Sequence, residues 1–75
     1  MDKQLRVKIT SYIKETDGTY SISIIILPTN KEYTYVLSSL YILEKIIYLI
    51  NNKYFGKALI ELKKNNLNNE KSDNN

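Results

Sequence analysis

The chain has 75 residues and a formal net charge of +3, and it contains no Cys, no His and no Trp. That length supports one small domain, which buries only about 60% of the surface its unfolded form exposes. Without Cys or His there is no disulfide staple, no thiolate or imidazole metal site, and none of the commonest general base. Ile, Lys, Asn and Tyr together account for 37 residues, the signature of an AT-rich coding sequence, so the abundance of Lys or Tyr alone carries little functional information.

Leu5, Val7, Ile9, Ser11 and Ile13 alternate with Arg6, Lys8, Thr10, Tyr12 and Lys14, which predicts a strand with one buried and one wet face. Asp17-Gly18 follows, a pair that supplies the positive-φ geometry of a tight hairpin turn. A second strand is predicted from Thr19 to Leu27, with Tyr20, Ile22, Ile24 and Ile26 on one face and Ser21, Ser23, Ile25 and Leu27 on the other. Pro28-Thr29-Asn30-Lys31 predicts a second turn, and Glu32 to Val36 a short third strand.

Ser38 or Ser39 is the expected N-cap of a helix in which Leu40, Ile42, Leu43, Ile46, Ile47, Leu49 and Ile50 fill half of the wheel. Continued past Asn52, the same phase would put Lys57 and Glu61 in the apolar arc. A break is therefore expected over Asn51 to Gly56, followed by a shorter helix from Lys57 to Lys64 that buries Ala58, Leu59 and Leu62. The expected fold is α+β, a three-stranded antiparallel β-meander with one long and one short helix on one face, in the order β-β-β-α-α. Residues 1–64 form the domain, and the Asn-rich stretch 65–75 is expected to be disordered.

The most apolar stretch, Leu40 to Ile50, is interrupted by Glu44 and Lys45, and Met1 to Lys8 lacks the apolar core of a signal peptide. A cytoplasmic protein is expected. No carboxylate pair has a spacing that forces two acids into one pocket, and there is no Gly-rich phosphate loop. Glu61-Leu62-Lys63 has the E-x-K spacing of a metal-nuclease half-site but no acidic partner. The chain therefore reads as non-enzymatic, with no catalytic residue, metal or cofactor expected.

Two kinds of binding surface compete. Tyr41 and Tyr48 fall at the centre of the first helix's polar arc beside Glu44 and Lys45, a pattern suited to a protein contact because Tyr brings large area with a polar tip. Alternatively, Arg6, Lys8, Tyr12 and Lys14 on the first strand and Tyr33 and Tyr35 on the third form a basic, aromatic sheet face for nucleic acid, if those faces coincide. Ile25 and Leu27 would sit on the same face and favour a protein contact instead. They are also left without a partner inside one copy, which points to a homodimer through strand pairing or back-to-back packing.

The run Glu15-Thr16-Asp17-Gly18-Thr19-Tyr20-Ser21 leading to Leu27-Pro28 resembles the first hairpin of HicB-type antitoxins, which pair an acidic-Gly turn with an aromatic, an apolar strand and a Leu-Pro exit. The likeness spans 14 residues. Ser38-Ser39-Leu40-Tyr41 stands where that family has a Gly-rich segment and an acidic helix start, so membership does not follow. By size and composition the chain is also similar to accessory and anti-defence proteins of phages and mobile elements. The expectation is a homodimeric interaction protein that binds and inhibits a protein partner, with nucleic-acid binding as the alternative.

Overall fold

A computed structural model describes residues 5–67. Three strands, β1 (Arg6–Lys14), β2 (Tyr20–Leu27) and β3 (Lys31–Leu37), are followed by two helices, α1 (Leu40–Asn51) and α2 (Phe55–Asn65). The strands form an antiparallel meander in the order β1-β2-β3. This is the expected β-β-β-α-α architecture, with helices of 12 and 11 residues.

The first hairpin closes on a three-residue loop. Glu15 N–H donates to the Thr19 carbonyl (2.8 Å) and Gly18 N–H to the Glu15 carbonyl (3.1 Å), with Gly18 at φ 93°. Asp17 contributes through its side chain, its Oδ1 accepting from the Thr19 amide (3.0 Å) and hydroxyl (2.6 Å). These two bonds hold its carboxyl below the ordinary value near 3.8. In the second turn Asn30 adopts φ 63° and donates its N–H to the Ile26 carbonyl (2.8 Å), and the Leu27–Pro28 peptide is cis.

Along β1 the structure departs from strict alternation. Ile9 pairs with Ile24, but Ser11 pairs with Ser23, so Thr10 is an extra residue, a β-bulge. A one-residue insertion reverses which face each later side chain takes. Val7 and Ile9 share the core face with Ile26 and Ile24, whereas beyond the bulge Tyr12 joins Ile22 on that face. Ile13 passes to the other side with Ser21, where it is 56% exposed.

The core lies between the sheet and the helices. Val7, Ile22, Ile24, Tyr35 and Leu37 meet Leu43, Ile46, Leu49 and Ile50 of α1 and Ala58 and Leu62 of α2. Ser39 caps α1, its Oγ accepting from Ile42 N–H at 3.3 Å. At the other end Lys53 N–H donates to the Ile50 carbonyl (3.0 Å) and Tyr54 N–H to the Leu49 carbonyl (2.8 Å), with Lys53 at φ 66°. This is a Schellman closure, with a lysine where glycine is usual.

The interhelix break is thus narrower than expected. Asn51 still belongs to α1, and Gly56 lies in the first turn of α2, which starts at Phe55 rather than Lys57. The polar stretch also begins later than expected. Asn65 ends α2, and the next two residues clasp the outer edge of β3: Val36 N–H donates to Asn66 Oδ1 (3.0 Å), and Leu67 N–H to the Val36 carbonyl (2.8 Å). The expected disorder of residues 68–75 lies outside the described residues. Among the described residues, no helix is long and apolar enough to cross a membrane.

Candidate interaction surface

The residues that α1 turns to solvent follow from its wheel. Leu43, Ile46, Leu49 and Ile50 define the buried side, and at 100° per residue Tyr41 and Tyr48 stand almost opposite its centre. They are 74% and 61% exposed, about 10.5 Å apart along the axis, with exposed Glu44 between them. Neither hydroxyl has a hydrogen-bond partner among the described residues. Three of the four helix residues anticipated for a protein contact, Tyr41, Glu44 and Tyr48, therefore form one outward stripe.

Lys45 sits at its flank instead. Its Nζ lies 3.7 Å from Glu61 Oε1 on α2, and the same oxygen accepts from Asn65 Nδ2 at 3.1 Å. This ties the two helices together across a shallow groove lined by Leu49, Lys57 and Ile60. A half-exposed ion pair of this kind contributes little stability, in the range of about 0–1 kcal/mol, but it fixes where the ammonium points. Glu61 is thereby engaged, and Lys63 lies about 160° away from it around α2, so the E-x-K spacing gathers no metal half-site. Among the described residues, no three His, Cys, Asp or Glu side chains come together in a cluster that could hold a metal ion.

The bulge divides the sheet residues anticipated for nucleic acid. Arg6 and Lys8 pair with Leu27 and Ile25 on the face that carries no helix. Tyr12 and Lys14, beyond Thr10, pair with Ile22 and Tyr20 and share the helix-bearing side. Tyr33 and Tyr35 also belong to that side, opposite Ile24 and Ile22. The basic and aromatic residues therefore do not form one face, and this corrects the expected platform. Tyr35 is a core residue, only 8% exposed, its ring stacked on Tyr33 at a centroid distance of 6.4 Å. Burial first, and then the neighbouring Tyr33 phenol, pushes its hydroxyl above the ordinary tyrosine value.

A further exposed surface went unanticipated. Ile60 stands on the solvent pole of α2, 64% exposed, with Lys57, Lys63 and Lys64 around it. On one flank it borders an open groove of about 260 Å³ with Tyr33, Tyr35, Leu59, Ile26 and Lys63. The wheel of α2 carries the signal, since Ile60 falls nearly opposite Ala58 and Leu62. Ile25 and Leu27, the residues expected at a dimer contact, lie on the helix-free face and are half-buried. Comparison with protein-family models, with curated proteins and with solved structures finds no match for this chain.

Proposed function

We propose that the chain is a non-enzymatic interaction protein that binds and modulates a protein partner through the outer face of α1, and that it works as a homodimer joined around Ile25 and Leu27. The observation that carries the reading is the pair Tyr41 and Tyr48. Two large aromatic side chains, two turns apart on the solvent pole of a doubly capped helix, stand mostly exposed and outside the buried core of the described residues. Buried in a partner's surface, each would supply anchor area at low entropic cost, while Glu44 and Lys45 at the rim would govern encounter and orientation. An inhibitor or regulatory accessory protein of a phage or mobile element is the concrete form of this reading, on the analogy of size and composition.

The test is the double variant Tyr41→Ala, Tyr48→Ala, compared with the parent in affinity capture from the source cells. Capture lost while circular dichroism is unchanged is the expected result. The same proteins captured by both forms would remove α1 as the contact.

A second reading has its own observation. On α2, Lys63 beside half-exposed Tyr33, with Lys57 and Lys64 exposed on the other flank of Ile60, is suited to an anionic strand that stacks a base on the ring. It requires anisotropy-detected binding of single-stranded DNA or RNA that weakens steeply with salt, because each neutralised phosphate releases counterions. Absence of binding at low salt would eliminate it.

A further inference from the structure

The helix-free face of the sheet has an order that the strand register makes explicit. Read across the three strands, one row is Lys8–Ile25–Glu32, the next Ser11–Ser23–Thr34, and the third Ile13–Ser21–Val36, with Arg6 and Leu27 beyond the first. Apolar side chains thus occupy both ends of the face and a band of hydroxyls its middle. Those hydroxyls are partly satisfied within the chain. Ser23 Oγ and Thr34 Oγ1 are 3.0 Å apart, and Ser21 Oγ donates to Glu15 Oε2 at 2.7 Å. One hydrogen of the Ser23–Thr34 pair is left over, as is the Ser11 hydroxyl, and both need an acceptor if the face is covered. Lys8 and Glu32 differ: they flank Ile25 from the two edge strands, about 10 Å apart, and neither has an ion-pair partner among the described residues.

We infer that this face packs against the same face of a second copy, about a twofold axis that runs along β2 in the plane of the interface. This deepens the dimer proposed above by giving it a geometry. Such an axis lays β1 of one copy over β3 of the other, so every row meets its own reverse. Ile25 lies on Ile25, Leu27 on Leu27, Ile13 over Val36 of the second copy, and Lys8 over Glu32 of the second copy, twice. A twofold axis perpendicular to the strands fails on the same residues. It sets Lys8 over Ile13, Glu32 over Val36 and Ile25 over Ser21, which buries charge against hydrocarbon.

The alternative of edge-to-edge strand addition is blocked in part on β3, where Asn66 and Leu67 already occupy the Val36 backbone. On β1 it is interrupted by the bulge at Thr10. The face spans on the order of 400 Å² in plane, about half the area per partner of a standard interface. The dimer is therefore expected to dissociate in the micromolar range.

Sedimentation velocity across that concentration range, on the full chain, tests the geometry by charge reversal. Lys8→Glu alone and Glu32→Lys alone each place like charges opposite one another twice, and each is expected to weaken dimerisation about tenfold or more. The double variant Lys8→Glu, Glu32→Lys restores both contacts and is expected to dimerise within about threefold of the parent. Both residues are exposed on edge strands, so circular dichroism should show all forms folded. Ile25→Thr, which keeps a β-branched strand residue, should weaken the dimer independently of charge. A chain monomeric at every concentration would overturn the dimer and its geometry together. A dimer in which the swap gives no recovery would overturn the geometry alone, and neither result bears on partner capture by α1.

Discussion

The two helices have nearly equal length and are packed into the same core, yet they are held in different ways. α1 is specified at both ends by its own sequence, through the Ser39 cap at the start and the closure at Lys53 and Tyr54 at the finish. α2 has Tyr54 at its N-cap position with no side-chain cap bond, carries Gly56 in its first turn, and has Lys63 and Lys64 in its last, which suit the negative end of the helix dipole. Its order comes mainly from Ala58 and Leu62 in the core, from Lys45 reaching across to Glu61, and from the clasp of residues 66 and 67 on β3. A contact surface on α1 is presented by a helix whose two ends are closed by its own residues, whereas the ends of α2 are held by tertiary contacts.

Substitutions test how differently the two helices are held. Leu62→Ala should have the largest effect, costing about 2–5 kcal/mol in chemical denaturation because the site is fully enclosed. Hydrogen exchange should show the amides of α2 losing protection before those of α1; uniform loss across both helices would contradict the contrast. Ser39→Ala should cost about 1 kcal/mol through the start of α1. Two single changes should stabilise. Lys53→Gly relieves a left-handed residue, and Gly56→Ala raises helix propensity in open space, each by about 0.5–1 kcal/mol. A loss of stability on Gly56→Ala would mean that α2 starts later than Phe55.

The smallest effect lies in the first hairpin. Because the Asp17 carboxyl is held below its ordinary value, its bonds to Thr19 are fully present above that value and are lost as pH falls through the lowered one. The Thr19 amide resonance should follow this titration at acid pH, and Asp17→Asn should remove the transition.

Much of this was legible in the residues, and the failures have physical causes. The hairpin could be read because Asp17-Gly18 and the apolar alternation of β2 agree. The bulge could not, because Ile13 is apolar on the helix-free side and prolongs a period-2 pattern that the backbone has already left. The break between helices showed in the failed phase at Lys57 and Glu61. Its left-handed residue is Lys53, because the carbonyls to be closed are set by where α1 ends. Tyr41 and Tyr48 needed only the helical period. The Lys45–Glu61 tie, the clasp on Val36 and the division of the basic and aromatic residues needed the tertiary arrangement, which no local pattern encodes.

Whether the outer face of α1 is the contact surface can be read by placing a photo-crosslinking amino acid at position 48 and, separately, at position 12. Both sites are exposed tyrosines, one on α1 and one on the edge strand β1. Irradiation in the source cells should give a discrete protein adduct from position 48 and none from position 12. An adduct from position 12 with none from position 48 would contradict the account and move the contact to the sheet.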